Sequence, residues 1–169
     1  MTSEATVVPL GALADIALGV AASPLWRDHV HHDPRERRPA RLIATDHYEV
    51  WVIGWWPGQS VQPHDHGGSV GVLTVVEGEL TELEGPTGTT IRRLPAGSVQ
   101  EVPAHVVHDV VNASDEPATS IHVYSPPLRT MTFYDARDGR KVDVMDVVEE
   151  APVLGGATAA RALHPAGSP

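Results

Sequence analysis

Histidine is concentrated in a few short stretches of this chain. Ten are present, and five of them fall in three segments: His64-Asp65-His66, His105 with His108, and His122. There is no cysteine, so any bound metal must sit on imidazole, carboxylate or carbonyl groups. In an extended strand alternate side chains share a face, so His64 and His66 offer two imidazoles to one side and Asp65 faces away. A third imidazole from another strand completes a face that can hold a divalent cation and leave positions open for substrate and oxygen. His108, which follows the alternation Val102, Ala104, Val106, supplies it. His105 stands three residues from His108, on the other face of an extended strand. His122 and Tyr124 share a face by the same period, which makes a hydrogen-bonded Tyr–His relay geometrically natural. The run His29-Val30-His31-His32 sits among Arg27, Asp28 and Asp33 and reads as a solvated loop.

The elements that must carry these groups are mostly strands. Residues 8–22 are rich in Ala and Leu at rough helical spacing and end at Ser23-Pro24, which predicts one N-terminal helix. From Glu49 onward the texture changes to short Val-, Ile-, Thr- and Trp-rich runs separated by Gly, Pro and Asp. Strands are predicted over 50–55, 70–77, 79–84, 89–94, 98–102, 106–111, 119–124 and 131–134, with a late hairpin through Asp138-Gly139 into 141–147. Glu84-Gly85-Pro86-Thr87-Gly88 and Pro95-Ala96-Gly97 are turns. Many short, closely spaced strands predict an all-β barrel of jelly-roll type. The expected organisation is a helix and loop over 1–40, a barrel over 41–150, and an Ala-, Gly- and Pro-rich tail over 151–169 that packs loosely or is disordered.

At 169 residues the chain suits one domain. Asp and Glu outnumber Lys and Arg 22 to 12, a formal net charge of −10, so the surface field opposes nucleic acid and anionic membranes. The apolar stretch 9–22 is too short to span a bilayer and is broken by Asp15. A cytoplasmic monomer acting on a small molecule is the expectation.

A His-x-His pair alone fits two ordinary strand histidines as well as a metal site. Here it sits in Gly58-x5-His64-x-His66-x4-Gly71-x6-Gly78, followed by Gly97-x5-Pro103-x4-His108-x3-Asn112. The two strings resemble the paired motifs of the cupin superfamily, with residues 79–96 between them. Two positions depart from that pattern. Gly71 replaces the usual glutamate ligand and His105 replaces an internal glycine. The site is therefore expected to be three neutral histidines that leave the metal's double charge uncompensated and favour anionic substrate ligands.

Within the superfamily, Trp55-Trp56-Pro57-Gly58-Gln59-Ser60, Pro63 to Ser69, Val76 to Leu80, Val107 to Asn112 and Ser120 to Pro127 together resemble the type I cysteine dioxygenases, over roughly 41–134. The resemblance implies a cupin barrel and Fe(II) held by His64, His66 and His108. It also implies a relay of Ser120, His122 and Tyr124 beside the iron. An arginine upstream of the first motif would bind the substrate carboxylate. Arg41 is the match, with Arg38 as competitor, and Trp55 matches an aromatic behind the substrate. Arginine suits that task because its planar fork donates two charged hydrogen bonds in parallel. The implied partners are L-cysteine and O₂, and the implied product is cysteine sulfinic acid. Related enzymes that prefer 3-mercaptopropionate carry glutamine at the arginine position, so another small thiol is the alternative substrate. A non-catalytic metal-binding cupin is the alternative of a different class. Some family members crosslink the tyrosine to a cysteine at the position of Gly71. Tyr124 must act without that bond.

Overall fold

The structure is a computed structural model that describes residues 6–147 and 152–154. One helix, α1 (Leu10–Ala22), precedes eleven strands: β1 (Ala40–Ala44), β2 (Glu49–Trp55), β3 (His64–Asp65), β4 (Val70–Glu77), β5 (Glu79–Glu84), β6 (Thr90–Pro95), β7 (Val99–Val102), β8 (His108–Val111), β9 (Ala118–Ser125), β10 (Thr130–Tyr134) and β11 (Lys141–Asp146). They form a five-stranded sheet in the order β1-β2-β9-β4-β7 and a six-stranded sheet in the order β11-β10-β3-β8-β5-β6. Every named pairing is antiparallel. The two-sheet barrel expected from the sequence is present.

Pro9, with its N–H absent and φ fixed, opens α1, and Leu13 N donates to its carbonyl. Ser23 closes the helix by donating both its N–H and its Oγ to Val20 O, ahead of Pro24. The helix buries Leu13 and Ala17 against Val50, Val52, Val72, Ile121 and Val123, which are the outward residues of β2, β4 and β9. Both central strands are therefore enclosed on two faces: every residue of β2 and of β9 is buried. Covering one face of β9 with the helix leaves the other face free to carry chemistry inside the barrel.

Residues 31–32 pass over the outer side of β2 at Gly54. A Cβ on Gly54 would collide with His31 O, so only glycine admits that crossing. His32 Nε2 lies 3.0 Å from Thr119 Oγ1, which ties the His-rich run to β9 instead of leaving it wholly solvated. One strand was not anticipated, and another is shorter than the alternation at His64 and His66 implied. β1 pairs with β2 along the sheet edge, and β3 is only two residues long. Of the predicted tail, only 152–154 lies within the described residues. There, the N–H groups of Val153 and Leu154 donate to the carbonyls of Arg41 and Leu42. No helix among the described residues is long and apolar enough to cross a membrane.

Candidate metal centre

His64 and His108 are direct cross-strand partners on β3 and β8, and His66 follows β3 by one residue. All three rings are buried. One ligand nitrogen from each lies within 4.8 Å of the others, the one cluster of three possible metal-ligating side chains among the described residues. His66 Nε2 stands 3.2 Å from His64 Nε2 and 3.4 Å from His108 Nε2.

What lies behind the rings fixes their protons. His64 Nδ1 faces the Gln62 carbonyl at 2.7 Å and His108 Nδ1 faces the Glu82 carboxylate at 2.9 Å. Each acceptor requires an N–H at Nδ1, so the Nε2 atoms of His64 and His108 present bare lone pairs to the third ring. One proton on His66 cannot answer both. A divalent cation can, and the donor set fits one. Burial, followed by the neighbouring imidazoles, holds His64 and His66 well below the ordinary histidine pKa, so the rings stay neutral and able to ligate.

The backbone behind His64 is built for this. Gln62 has φ 80, a left-handed conformation uncommon for a non-glycine residue. Its N–H donates to Asp109 Oδ1 at 2.9 Å, and Ser60 Oγ donates to the same carboxylate. That clamp turns the Gln62 carbonyl toward His64.

Opposite the histidines, β9 presents Ser120, His122 and Tyr124. Trp55 Nε1 donates to Ser120 Oγ at 2.8 Å, Ser120 Oγ lies 2.7 Å from His122 Nε2, and His122 Nδ1 lies 3.1 Å from Tyr124 Oη. The indole can only donate. Ser120 is fully buried with these two partners among the described residues, so its own proton goes to His122 Nε2. His122 then carries its proton on Nδ1 and donates it to Tyr124, which leaves the phenol hydrogen free to point at a third party. Burial lowers the His122 pKa to about 3 and raises that of Tyr124, keeping the relay uncharged. The Tyr124 ring lies 4.9 Å from that of His66. Gly71 makes room for it, since a Cβ there would stand 3.1 Å from two Tyr124 ring carbons.

The structure places the other residues named from the sequence as follows. Arg41 projects on the inward face beside Trp51, but its Nε lies 3.0 Å from Glu49 Oε2 in a pair almost wholly removed from water. The charge expected to meet a substrate carboxylate is already answered inside the protein. Arg38 is a surface residue paired with Asp33 and Glu36. Trp55 is fully enclosed and its Nε1 donates to Ser120, so it stands behind the relay. His105 is exposed with φ 65 in the turn before β8, outside the cluster.

Three groups were not anticipated. Arg37 is half-buried, stacks 5.0 Å over the Trp55 ring, and has no ion pair among the described residues. Its charge opposes protonation of His64 and His122 and favours ionisation of Tyr124. Glu82 is buried behind His108, and Asp109 holds Gln62. Leu80 and Glu82 are the two buried residues of β5, so an acidic residue in phase with a core leucine was the available signal. A cavity of about 370 Å³ is lined by Arg37, Gln62, Met131 and Phe133 among others, and none of the three histidines lines it. Phe133 packs 5.9 Å from the His64 ring.

The sequence model for cysteine dioxygenase type I matches residues 18–137. The cysteine dioxygenase type 1 of Rattus norvegicus is 29% identical over 105 residues, covering 56% of this chain and 52% of that protein. The Danio rerio protein of the same name is 30% identical over 108 residues, with 54% and 52% covered. The chain spans about half the length of these curated relatives. Among solved structures, a double-stranded β-helix protein from Klebsiella pneumoniae aligns with TM-score 0.54 and 25% identity, covering 59% of this chain and 85% of that one. A cupin 2 conserved barrel domain protein from Leptotrichia buccalis aligns with TM-score 0.51 and 21% identity over 59% of this chain and 45% of that one. The fold is that of the cupin-like double-stranded β-helix.

Proposed function

The chain belongs to the cysteine dioxygenase type I family, and from that membership we propose that it is a non-haem Fe(II) thiol dioxygenase, adding both atoms of O₂ to the sulfur of L-cysteine to give cysteine sulfinic acid. The observation that carries this reading is the convergence of three buried imidazole nitrogens within 4.8 Å, beside a tyrosine whose hydroxyl hydrogen is left free by its own relay.

His64, His66 and His108 would hold the ion. Iron bound there supplies the Lewis acidity and the one-electron chemistry that let a thiolate and O₂ react. The protein's own groups do the positioning. Tyr124 donates its hydrogen bond to a reactant oxygen or carboxylate, oriented by His122, which Ser120 and Trp55 fix in turn. Arg37, pre-stacked on Trp55, receives the substrate carboxylate as a charged fork. Arg41 and Glu49 hold β1 to β2, and Glu49 is the cross-strand partner of Tyr124.

One observation favours a second reading. The Arg41 charge is balanced by Glu49, which makes that position closer to the neutral glutamine of the enzymes that take 3-mercaptopropionate. Oxygen uptake by the Fe(II)-loaded chain with L-cysteine, 3-mercaptopropionate and cysteamine separates the cases. The highest kcat/KM is expected for L-cysteine, with cysteamine poor because it lacks a carboxylate. A higher value for 3-mercaptopropionate moves the assignment to that thiol. No uptake with any thiol, with iron bound, means a metal-binding cupin without this activity.

A further inference from the structure

The three histidines face one point, but they are backed differently. Behind His64 stands a neutral carbonyl. Behind His66, Nδ1 is buried with no hydrogen-bond partner among the described residues. Behind His108 stands a carboxylate: Glu82 Oε1 is 2.9 Å from Nδ1, with side chains only 1% and 2% exposed. The first motif's usual ligand position holds no carboxylate, because it is Gly71, and the space beside its Cα is filled by the Tyr124 ring.

We infer that Glu82 supplies, one hydrogen bond removed and through His108, the negative charge that the Gly71 position lacks, and that Arg92 sets how much of that charge reaches the metal. The inference rests on the metal-binding reading of the three histidines. A carboxylate accepting Nδ1–H draws the proton away from the ring and makes Nε2 a stronger donor. Arg92 Nη1 lies 3.2 Å from Glu82 Oε2 and 2.7 Å from Glu84 Oε2. With its side chain 38% exposed, Arg92 shares one positive charge between two carboxylates and water, so Glu82 is only partly neutralised. Glu82 is thus a positioning residue that acts through His108. The cluster of Glu82, Arg92 and Glu84 forms a graded charge behind one ligand.

A purely structural hydrogen bond and a charge donor predict different things. Glu82→Gln keeps the shape and an acceptor for Nδ1–H while removing the charge. Arg92→Gln removes the opposing charge at a side chain that water already reaches. The test is Fe(II) affinity by chelator competition under nitrogen, with the Fe(III)/Fe(II) midpoint potential, in the wild-type chain and both variants. Glu82→Gln is expected to weaken Fe(II) binding by about 10- to 100-fold. It is also expected to raise the midpoint, because a lost negative charge costs Fe(III) more than Fe(II). Each extra tenfold penalty on Fe(III) is about 59 mV. Arg92→Gln is expected to move both quantities the opposite way, and it decides the matter alone if Glu82→Gln does not fold. Wild-type values in Arg92→Gln, or midpoint shifts of the same sign in the two variants, overturn the inference. Failure of the wild-type chain to bind Fe(II) overturns instead the metal reading on which it rests.

Discussion

The two walls of the barrel divide the work and are built differently. The six-stranded wall carries His64 on the two-residue strand β3, His66 just after it and His108 at the start of β8, where turns meet the strands. The five-stranded wall carries the relay on β9, an eight-residue strand buried on both faces between β2 and β4. One wall positions its groups by side-chain and backbone clamps: Asp109 on Gln62, Gln62 on His64, Glu82 on His108. The other positions them by strand period alone, with Trp55 closing the end.

The comparison can be broken first at the metal wall. His64→Ala, His66→Ala or His108→Ala should abolish stoichiometric metal binding and all turnover, while His105→Ala, exposed in its turn, should keep both. Metal content after gel filtration and oxygen uptake check this. An empty site in His105→Ala with a full one in His108→Ala would reverse the ligand assignment.

Arg37→Ala should come next. A charged hydrogen bond to the substrate carboxylate is worth about 1.5 to 3 kcal/mol, which corresponds to roughly a 10- to 150-fold loss of kcat/KM for L-cysteine. Cysteamine should lose little. Equal losses for both thiols would mean that Arg37 only packs against Trp55. A selective loss of cysteine activity in Arg41→Gln, with iron and stability retained, would return the role to Arg41.

Breaking the relay should separate the walls most cleanly. Tyr124→Phe is expected to keep its metal and lose roughly 10-fold or more in turnover, the scale for one positioned proton donor. Unchanged turnover in that variant would reduce the relay to packing.

The smallest effect is on stability. The His122 pKa lies near 3 in the folded state against an ordinary 6.5, so between those values the unfolded chain binds more protons than the folded one. Stability is therefore greatest above about 6.5 and is lost as pH falls toward 3, and the buried His64 and His66 act in the same direction. Melting temperatures of metal-free protein at pH 7 and pH 5 should show the drop, and His122→Gln should reduce it. The same slope in both proteins would locate the effect elsewhere.

What was legible in the sequence follows the same division. Period-two alternation put His122 and Tyr124 on one face because β9 is long and regular, and the family resemblance added Ser120. The histidine triad was legible because its spacing repeats a two-segment pattern. The groups behind the ligands were not, because they depend on pairings across strands. Arg41 and Glu49 meet only once β1 turns back along β2, and neither β1 nor residue 49 was read as strand. Glu82 reaches His108 from β5, in a register no local pattern encodes. Arg37 sits in an irregular segment whose path is set by the crossing at Gly54. Asp65 was expected to face away from the site, and it does: it accepts from Tyr134 Oη at 2.7 Å.

The most direct test of the whole account is turnover of L-cysteine by the Fe(II)-loaded chain under ¹⁸O₂, with the product weighed by mass spectrometry. The account predicts cysteine sulfinic acid carrying two ¹⁸O atoms, with one O₂ consumed per product. A product carrying one label or none, or cystine as the only product, would contradict it.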